Sequence, residues 1–314
     1  MADVLLTGMI RPQDFLVLVI LAPTASIADA IPVDTWPASW RQPTAVATEL
    51  NLTVFSEAPS LTARVSAGKL PPLRERLPAD PVVLEPLEGV GHYGGTARIF
   101  SSDTLTFINA EPALTVGPEA VRILPNIIER WKYSDNHKIL TMHLRRGLKW
   151  SDGSNFTADD FLFNHRHIML NQELTPVAYP PWRDLRSVRL DDYSFRFEFD
   201  KPNPLFVNLL AQLGDFMFVP SEYLKQFHPE FTDRETLITQ ARDRGYISWM
   251  AYFSAIRFRN RNEPPLAPTV QPYRLVRKTP TTEYYERNPF YWKVDTDGNQ
   301  LPYIDEVQAC LLYT

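Results

Sequence analysis

The amino-acid sequence predicts a mixed α/β fold, and three segments carry most of that prediction. Residues 138–145 and 193–199 alternate apolar and polar side chains, with the two-residue period of a strand that buries one face. Between them, residues 157–171 begin with a helix-start signal and continue with apolar residues at helical spacing. Strands and a capped helix that alternate along the chain favour sheets and helices packed in one lobe.

The first strand belongs to a predicted hairpin. Trp131 begins a segment that enters the polar turn Ser134-Asp-Asn-His, and residues 138–145 leave that turn. One face of the second strand carries Leu140, Met142 and Leu144, and the other carries Ile139, Thr141, His143 and Arg145. The alternation predicts that the leucine and methionine face is buried.

The helix that follows is predicted to begin with a capping box. The Thr157 hydroxyl can accept hydrogen bonds from backbone amides, while Asp160, a shorter stand-in for the usual Glu, reaches back. Phe156 and Phe161 stand where a hydrophobic staple places them. These local rules agree on a helix that runs to about residue 171.

Other periodic segments predict further elements along the chain. Strands are expected at 96–100 and 216–219, with a hairpin of 273–277 and 283–287 around Thr279-Pro280. Helices are expected near 119–124, at 205–213 and, with an amphipathic face, at 233–243. The sequence shows no internal repeat.

Composition and charge narrow the functional classes. The 314 residues allow about two domains, and 44% hydrophobic residues suffice for a buried core. The net charge of −5 and a pI near 5.7 do not indicate a basic surface that would bind nucleic acid. With Cys310 as its one cysteine, the chain can form no internal disulfide and has no CxxC pair for zinc. Cys310 is expected to be a small buried apolar side chain.

The N-terminal residues have the pattern of a signal peptide, predicted over residues 1–30. Phe15-Leu-Val-Leu-Val-Ile-Leu-Ala is an apolar core too short to span a bilayer, and Ala28-Asp-Ala30 has the form of a cleavage site. The alternative is a buried or misassigned N-terminus, because Asp3 and Asp14 offset Arg11. Residues 31–90 follow as a Pro-rich extension, expected to wrap the first lobe.

Several short motifs resemble chemical sites without the context those sites need. Gly89-Val-Gly-His-Tyr-Gly94 is a literal GxGxxG, but a strand rather than a helix is predicted after it, so the glycines are expected to be a flexible entry to that strand. His165 and His167 lie two residues apart, and neither His137 nor His228 is expected to join a cluster, so no metal site or other cofactor is predicted. No nucleophile motif supports catalysis, and a glycosidase with carboxylates that meet across the fold is the enzyme alternative.

The segment from Asn126-Ile-Ile-Glu-Arg-Trp to Trp150-Ser-Asp-Gly resembles the signature of the family 5 extracellular solute-binding proteins, the peptide and nickel receptors of bacterial ABC importers. Further segments are similar in the family's order: Gly94-Gly-Thr-Ala-Arg, Tyr193-Ser-Phe-Arg-Phe-Glu-Phe, Tyr223-Leu-Lys-Gln-Phe-His-Pro and Asn288-Pro-Phe-Tyr-Trp-Lys-Val-Asp. The resemblance implies a type II periplasmic-binding-protein-like α/β fold with a mixed sheet. It places the first lobe at 91–303, with an inserted subdomain at about 100–190, and the crossover to an absent, truncated second lobe at 304–314.

The resemblance also implies a function and a site. It implies a monomer that binds an oligopeptide in an interlobe cleft, catalyses no reaction and delivers its ligand to the permease subunits of an ABC transporter. The alternatives are an oligosaccharide receptor and a non-binding remnant. The implied ligand-binding residues are Ser101, Ser102, Asp103, Glu111, Tyr179 and Trp182. Asp103 or Glu111 is expected to pair with the ammonium group of a peptide; the alternative is that each acid is simply solvated. The two aromatic residues are expected to stack on or cover the ligand; the alternative is that they only pack within the protein. A periplasmic or extracellular location is expected, without an N-terminal lipid-anchor cysteine.

Overall fold

The computed structural model describes residues 46–86, 88–101, 111–117, 122–178, 180–212, 214–258 and 266–311. The strands are β1 (Val82–Leu84), β2 (Thr96–Ser101), β3 (Leu114–Val116), β4 (Ile123–Pro125), β5 (Ile128–Ser134), β6 (Ile139–Leu144), β7 (Leu185–Asp191), β8 (Ser194–Phe199), β9 (Tyr273–Lys278), β10 (Thr282–Arg287), β11 (Lys293–Asp295) and β12 (Glu306–Leu311). The α-helices are α1 (Pro59–Ser66), α2 (Leu73–Arg76), α3 (Ala158–Phe163), α4 (Pro180–Arg183), α5 (Phe206–Gln212), α6 (Ser221–Lys225), α7 (Arg234–Asp243) and α8 (Trp249–Arg257). A π-helical turn, Asn164–Met169, continues α3, and a 3₁₀ turn covers Gly214–Met217.

Two four-stranded sheets organise the described chain. The first has the order β5-β6-β8-β7 and is antiparallel throughout. The second has the order β2-β12-β10-β9, in which β2 and β12 run parallel and the other neighbours run antiparallel. Two smaller pairs join β1 to β11 in parallel and β3 to β4 antiparallel. The mixed α/β fold with a mixed sheet is therefore confirmed.

The β5–β6 hairpin forms as the sequence predicts. Leu140, Met142 and Leu144 are buried, and the turn uses left-handed backbone at Asp135, Asn136 and His137, with φ of 48°, 48° and 63°. Arg145 was expected on the polar face and is instead buried, because β6 ends at Leu144. Its guanidinium donates to the carbonyl oxygen of Asp80 at 2.9 Å and lies over the ring of Trp292.

Aromatic side chains fill the main core between the antiparallel sheet and α3. Phe156 and Phe161 meet edge to face at 6.0 Å, which confirms the hydrophobic staple, and both contact Phe218. The capping box of α3 is also present, with the Thr157 amide donating to Asp160 Oδ2 at 2.9 Å. The helix does not continue as a regular α-helix, since residues 164–169 adopt π geometry.

Helices α6, α7 and α8 form a second hydrophobic cluster against the π-helical turn. Its buried members include Leu224, Leu237, Trp249 and Phe253. Helix α7 confirms the predicted amphipathic helix, and its N-cap Asp233 accepts a hydrogen bond from the Thr236 amide at 2.9 Å. Among the described residues, no helix combines the length and apolar character needed to cross a membrane.

Three sequence predictions of structure are wrong. Residues 216–219 form no strand: the 3₁₀ turn includes Phe216, which is half exposed, although Met217 to Val219 are buried. The helix predicted near 119–124 lies partly outside the described residues, and its last two positions belong to strand β4. Cys310 is only partly buried, because its strand β12 carries Val307 and Ala309 toward the core on the opposite face.

The glycine-rich segment before β2 leads into a strand, as predicted, and not into the helix that a dinucleotide site requires. Its middle glycine has a packing role. A Cβ on Gly91 would lie 2.5 Å from the ring of Tyr303, so no larger residue fits there without movement. This loop is therefore explained by close approach to the chain before β12.

The segment before α1 is joined by hydrogen bonds to the turn that contains Gly298, between β11 and β12. Ser56 donates its amide to the Gly298 carbonyl at 3.0 Å, and Gln300 donates its amide to the Ser56 carbonyl at 2.8 Å. Gly298 has φ of +82°, and a Cβ there would overlap the carbonyl oxygen of Val54. Only glycine satisfies both constraints.

We expect Gly298→Ala to lower the free energy of unfolding by about 2 to 3 kcal/mol, combining left-handed strain with the steric overlap. Gly245→Ala is the matched control, because Gly245 has a similar φ of +78° but open space around its Cβ position. The control should lose only about 1 kcal/mol. Urea denaturation of both variants measures the difference, and equal losses would contradict the steric role of Val54.

Candidate functional site

The carboxyl ends of β2 and β12 define the edge at which the predicted ligand-binding residues begin. The two strands are parallel neighbours, with Phe100 opposite Cys310 and Ser101 opposite Leu311. In open α/β sheets, ligands bind beyond the carboxyl ends of the strands. Phe100 is three-quarters exposed at this edge.

The structure locates three of the six predicted site residues. Ser101 is the last residue of β2, while Ser102, Asp103 and Tyr179 lie outside the described residues. Glu111 and Trp182 are both buried, at 4% and 3% exposure. The assignment of all six residues to ligand binding stays a prediction.

Glu111 is the centre of a buried polar cluster. Its Oε1 accepts a hydrogen bond from the Tyr291 hydroxyl at 2.5 Å, and its Oε2 accepts one from Asn126 Nδ2 at 3.0 Å. The Lys293 ammonium lies 2.8 Å from Oε2, and its side chain is only 13% exposed. The alternative of a freely solvated carboxylate is thus wrong. A ligand ammonium at Glu111 would have to compete with Lys293.

This cluster also affects the acidity of its aromatic member. Complete burial and the neighbouring Glu111 carboxylate together raise the pKa of Tyr291 well above its usual value. Tyr291 therefore remains a hydroxyl donor at any physiological pH. Sequence reasoning missed Asn126, Tyr291 and Lys293 as partners of Glu111, although all three stand within segments that resemble the family.

Trp182 packs inside the main core. Its ring meets Phe206 at 5.0 Å and Phe197 at 6.0 Å, both edge to face. Its backbone carbonyl lies 3.0 Å from His165 Nε2, and the other ring nitrogen of His165 is 2.8 Å from the Ser187 hydroxyl. These contacts favour the packing alternative for this tryptophan.

Four acidic side chains are buried in the described part of the chain: Glu111, Asp160, Glu283 and Asp295. Each accepts hydrogen bonds from its own neighbours; Asp295, for example, accepts from the Tyr303 hydroxyl at 2.6 Å and from the Asn299 amide at 2.8 Å. Such contacts make these carboxylates internal anchors. The absence of catalysis stays a prediction.

The histidine prediction needs a correction. His228 was expected to stand alone, but the structure brings it together with His167 and Glu230, with one potential ligand atom of each residue within 4.8 Å of the others. His167 and His228 are 61 positions apart in the sequence, so local spacing contained no signal for this cluster. Only the folding of the loop after α6 onto the π-helical turn brings them together.

Solved structures of binding proteins share this architecture. The oligopeptide-binding protein OppA superposes with a TM-score of 0.78 at 34% identity, over 83% of this chain and 42% of that chain. The periplasmic binding protein MelB from Agrobacterium fabrum, solved in complex with stachyose, gives a TM-score of 0.64 at 27% identity, over 83% of this chain and 41% of that chain. The fold is thus that of a type II periplasmic binding protein.

The family description "Bacterial extracellular solute-binding proteins, family 5 Middle" matches residues 122–309, and the chain belongs to this family. The periplasmic alpha-galactoside-binding protein of Rhizobium meliloti is 29% identical over 77% of this chain and 37% of its own length. The periplasmic oligopeptide-binding protein OppA of Salmonella typhimurium is 28% identical over 49% of this chain and 29% of its own length. The chain therefore spans less than half the length of these relatives.

Proposed function

We propose that the chain acts outside the cytoplasmic membrane, in the periplasm, as the solute-binding component of an ABC importer, and that its ligand is an oligopeptide. The observation that carries the proposal is the likeness to the oligopeptide-binding protein OppA over 83% of the chain. In this proposal the ligand lies beyond the carboxyl ends of β2 and β12, and the loop that leaves Ser101 contacts it. A hinge closes the cleft, and the permease receives the captured solute.

An oligosaccharide is the second candidate ligand. It is favoured by the alignment with the alpha-galactoside-binding protein, which covers 77% of this chain, and by the likeness to MelB in its complex with stachyose. Aromatic faces suit the stacking of sugar rings as well as the packing of peptide side chains. The two candidates share the fold, so the residues of the cleft decide between them.

The test is isothermal titration of the full chain with a defined pentapeptide, with the same peptide acetylated at its amino terminus, and with stachyose. We expect saturable heat with the free peptide and at least a roughly tenfold weaker affinity after acetylation, since a charged hydrogen bond contributes about 1.5 to 3 kcal/mol. Asp103→Asn should reduce the affinity similarly. Asp135→Asn, in the β5–β6 turn, is the control and should leave the affinity unchanged.

The other outcomes contradict parts of the proposal. Heat with stachyose alone would replace the peptide by the oligosaccharide. Peptide binding that ignores acetylation would refute the role of Asp103 while retaining the ligand class. No heat with either ligand would show that this chain does not capture solutes by itself.

A further inference from the structure

The group of His167, His228 and Glu230 lies in the helical part of the protein. The His228 ring packs against Phe163 and Phe253 of the second hydrophobic cluster, whereas strand β2, which ends at Ser101, packs in a different cluster. His167 comes from the π-helical turn, and the other two residues follow α6. One nitrogen or oxygen atom of each side chain lies within 4.8 Å of the others. Two imidazoles and a carboxylate are a ligand set that divalent transition metals accept.

The hydrogen bonds of His228 fix which of its nitrogens carries a lone pair. Nε2 lies 3.0 Å from the His167 carbonyl oxygen, which can only accept, and 3.3 Å from Asn171 Nδ2, which can only donate. The shorter contact assigns the proton to Nε2. Nδ1 is then the lone-pair nitrogen, and the Glu230 amide donates to it weakly at 3.3 Å. A histidine that donates its other N–H to a backbone carbonyl is oriented as metal-bound histidines are.

His167 supplies an unexplained polar atom. Its Nδ1 is buried and has no hydrogen bond of good geometry, although Glu230 Oε2 lies only 2.8 Å away. Ligands of a tetrahedral zinc ion, each about 2.0 to 2.1 Å from the metal, stand roughly 3.3 Å apart. A small opening of this contact would therefore place an ion between the two atoms.

The surroundings hold the group in place and leave it accessible. The His167 ring packs 5.1 Å from both Phe163 and Phe231, and His228 is fully buried. The Glu230 side chain is 55% exposed, which provides an entry path from solvent.

The π geometry itself is consistent with a site. Single π turns within α-helices occur frequently at functional sites, where they redirect side chains and free backbone carbonyls. Here the carbonyl oxygen of His167 contacts His228, while the imidazole of His167 contacts Glu230. One residue thus contributes both a candidate ligand and the hydrogen bond that orients a second ligand.

We propose that His167, His228 and Glu230 form a binding site for a divalent transition metal, of which Zn²⁺ is the probe. Three protein ligands leave a fourth position for water or for a group of a bound molecule. The ion would fasten the π-helical turn to the loop after α6. Because it binds the folded state, it would also raise the thermal midpoint of unfolding.

The experiment titrates the metal-free full chain with Zn²⁺ and, for a spectroscopic readout, with Co²⁺. We expect one tight site, a raised melting temperature and the visible absorption of four-coordinate cobalt. His167→Asn and Glu230→Gln should each weaken the affinity by about 10- to 100-fold. Both replace partly exposed residues, so the variants should fold. The control is His92→Asn, which changes an exposed histidine outside the group.

Two results would overturn the site. The site would be excluded if the wild-type protein bound neither ion above background. It would also be excluded if His167→Asn and Glu230→Gln left the metal affinity unchanged while His92→Asn lowered it. The measurement needs no peptide or sugar. Its outcome is therefore independent of the proposed solute-binding function.

Discussion

Replacing Asp160 by alanine is expected to lower the free energy of unfolding by about 3 kcal/mol, because several buried donors lose their acceptor together. The carboxylate is 2% exposed and joins three parts of the chain. Oδ2 accepts from the Trp150 indole at 3.1 Å and from the Thr157 amide at 2.9 Å. Oδ1 accepts from the Ser221 amide at 2.9 Å and from its hydroxyl at 2.7 Å.

The size of this effect follows from burial. The hydrogen bonds from the Trp150 indole and the Ser221 amide are buried, and each unsatisfied buried donor costs about 1 to 3 kcal/mol. Loss of the capping box adds about 1 kcal/mol. Relief of the desolvation of the carboxylate itself offsets part of this sum, which is why the net value stays near 3 kcal/mol.

Asp159→Ala is the matched control. Asp159 neighbours Asp160 in the first turn of α3, but it is 43% exposed and pairs with the equally exposed Arg189 at 3.1 Å. Such a pair contributes little, so the control should lose less than about 1 kcal/mol. Urea denaturation followed by circular dichroism compares the two variants. A loss at Asp160 no larger than at Asp159 would contradict the anchoring role.

The same carboxyl group gives stability a defined pH dependence. Burial raises its pKa from 3.8 to about 6, so the folded protein holds this proton more tightly than the unfolded chain does. The stabilisation that comes from this tighter proton binding is therefore fully present below about pH 4 and is lost as the pH rises through about 6. The stability of the wild type relative to Asp160→Asn should decline across that window, and a constant difference would refute the shift.

Glu111→Ala is expected to lower the free energy of unfolding by about 3 kcal/mol. Removing one partner of a buried ion pair leaves the other charge uncompensated, at a cost of about 3 to 5 kcal/mol. The value falls at the lower end because Lys293 is 13% exposed and can partly reach water. The Tyr291 hydroxyl and the Asn126 amide also lose their acceptor.

A double variant separates charge from shape. Glu111→Met combined with Lys293→Met removes both charges while keeping apolar volume, and it should be more stable than Glu111→Ala by about 1 kcal/mol or more. Glu222→Ala is the control, since that glutamate is 76% exposed and its loss should be close to neutral. A double variant as unstable as Glu111→Ala would show that hydrogen bonding, and not the buried charge, sets the cost.

This result also bears on the predicted ligand site. If Glu111 acts mainly as an internal anchor, the folded Glu111→Gln protein should bind the proposed oligopeptide ligand within a factor of about three of wild type. A loss of tenfold or more with stability retained would instead support direct contact with the ligand. Calorimetric titration of the folded variant distinguishes the two cases.

Local sequence rules predicted the elements that local physics decides. Leu140, Met142 and Leu144 could be assigned to a buried face because alternation alone fixes it, and the capped start of α3 could be assigned because its partners lie within five residues. The π-helical turn escaped the same rules. Its apolar spacing still fits a helix, and the loop after α6, which packs onto it through His228, is 61 residues away along the chain.

The candidate site was harder to predict because its contacts are distant along the chain. The acid at 111 was visible in the sequence, but nothing near it indicates that Tyr291 and Lys293 will occupy its oxygens. Trp182 was similarly placed in a proline-rich segment with two equal interpretations. Its burial beside Phe197 and Phe206 depends on tertiary packing that no local pattern encodes.

The position of β12 between β2 and β10 has a consequence for biosynthesis. Thr96 finds its parallel neighbour in Glu306, more than two hundred residues later. A nascent chain emerging in order must hold β2 without that neighbour until β12 has been made. Pairing across such a separation is slow, and a waiting strand edge attracts other chains. This sheet should therefore assemble after the β5-β6-β8-β7 sheet and should need more protection by chaperones than that sheet does.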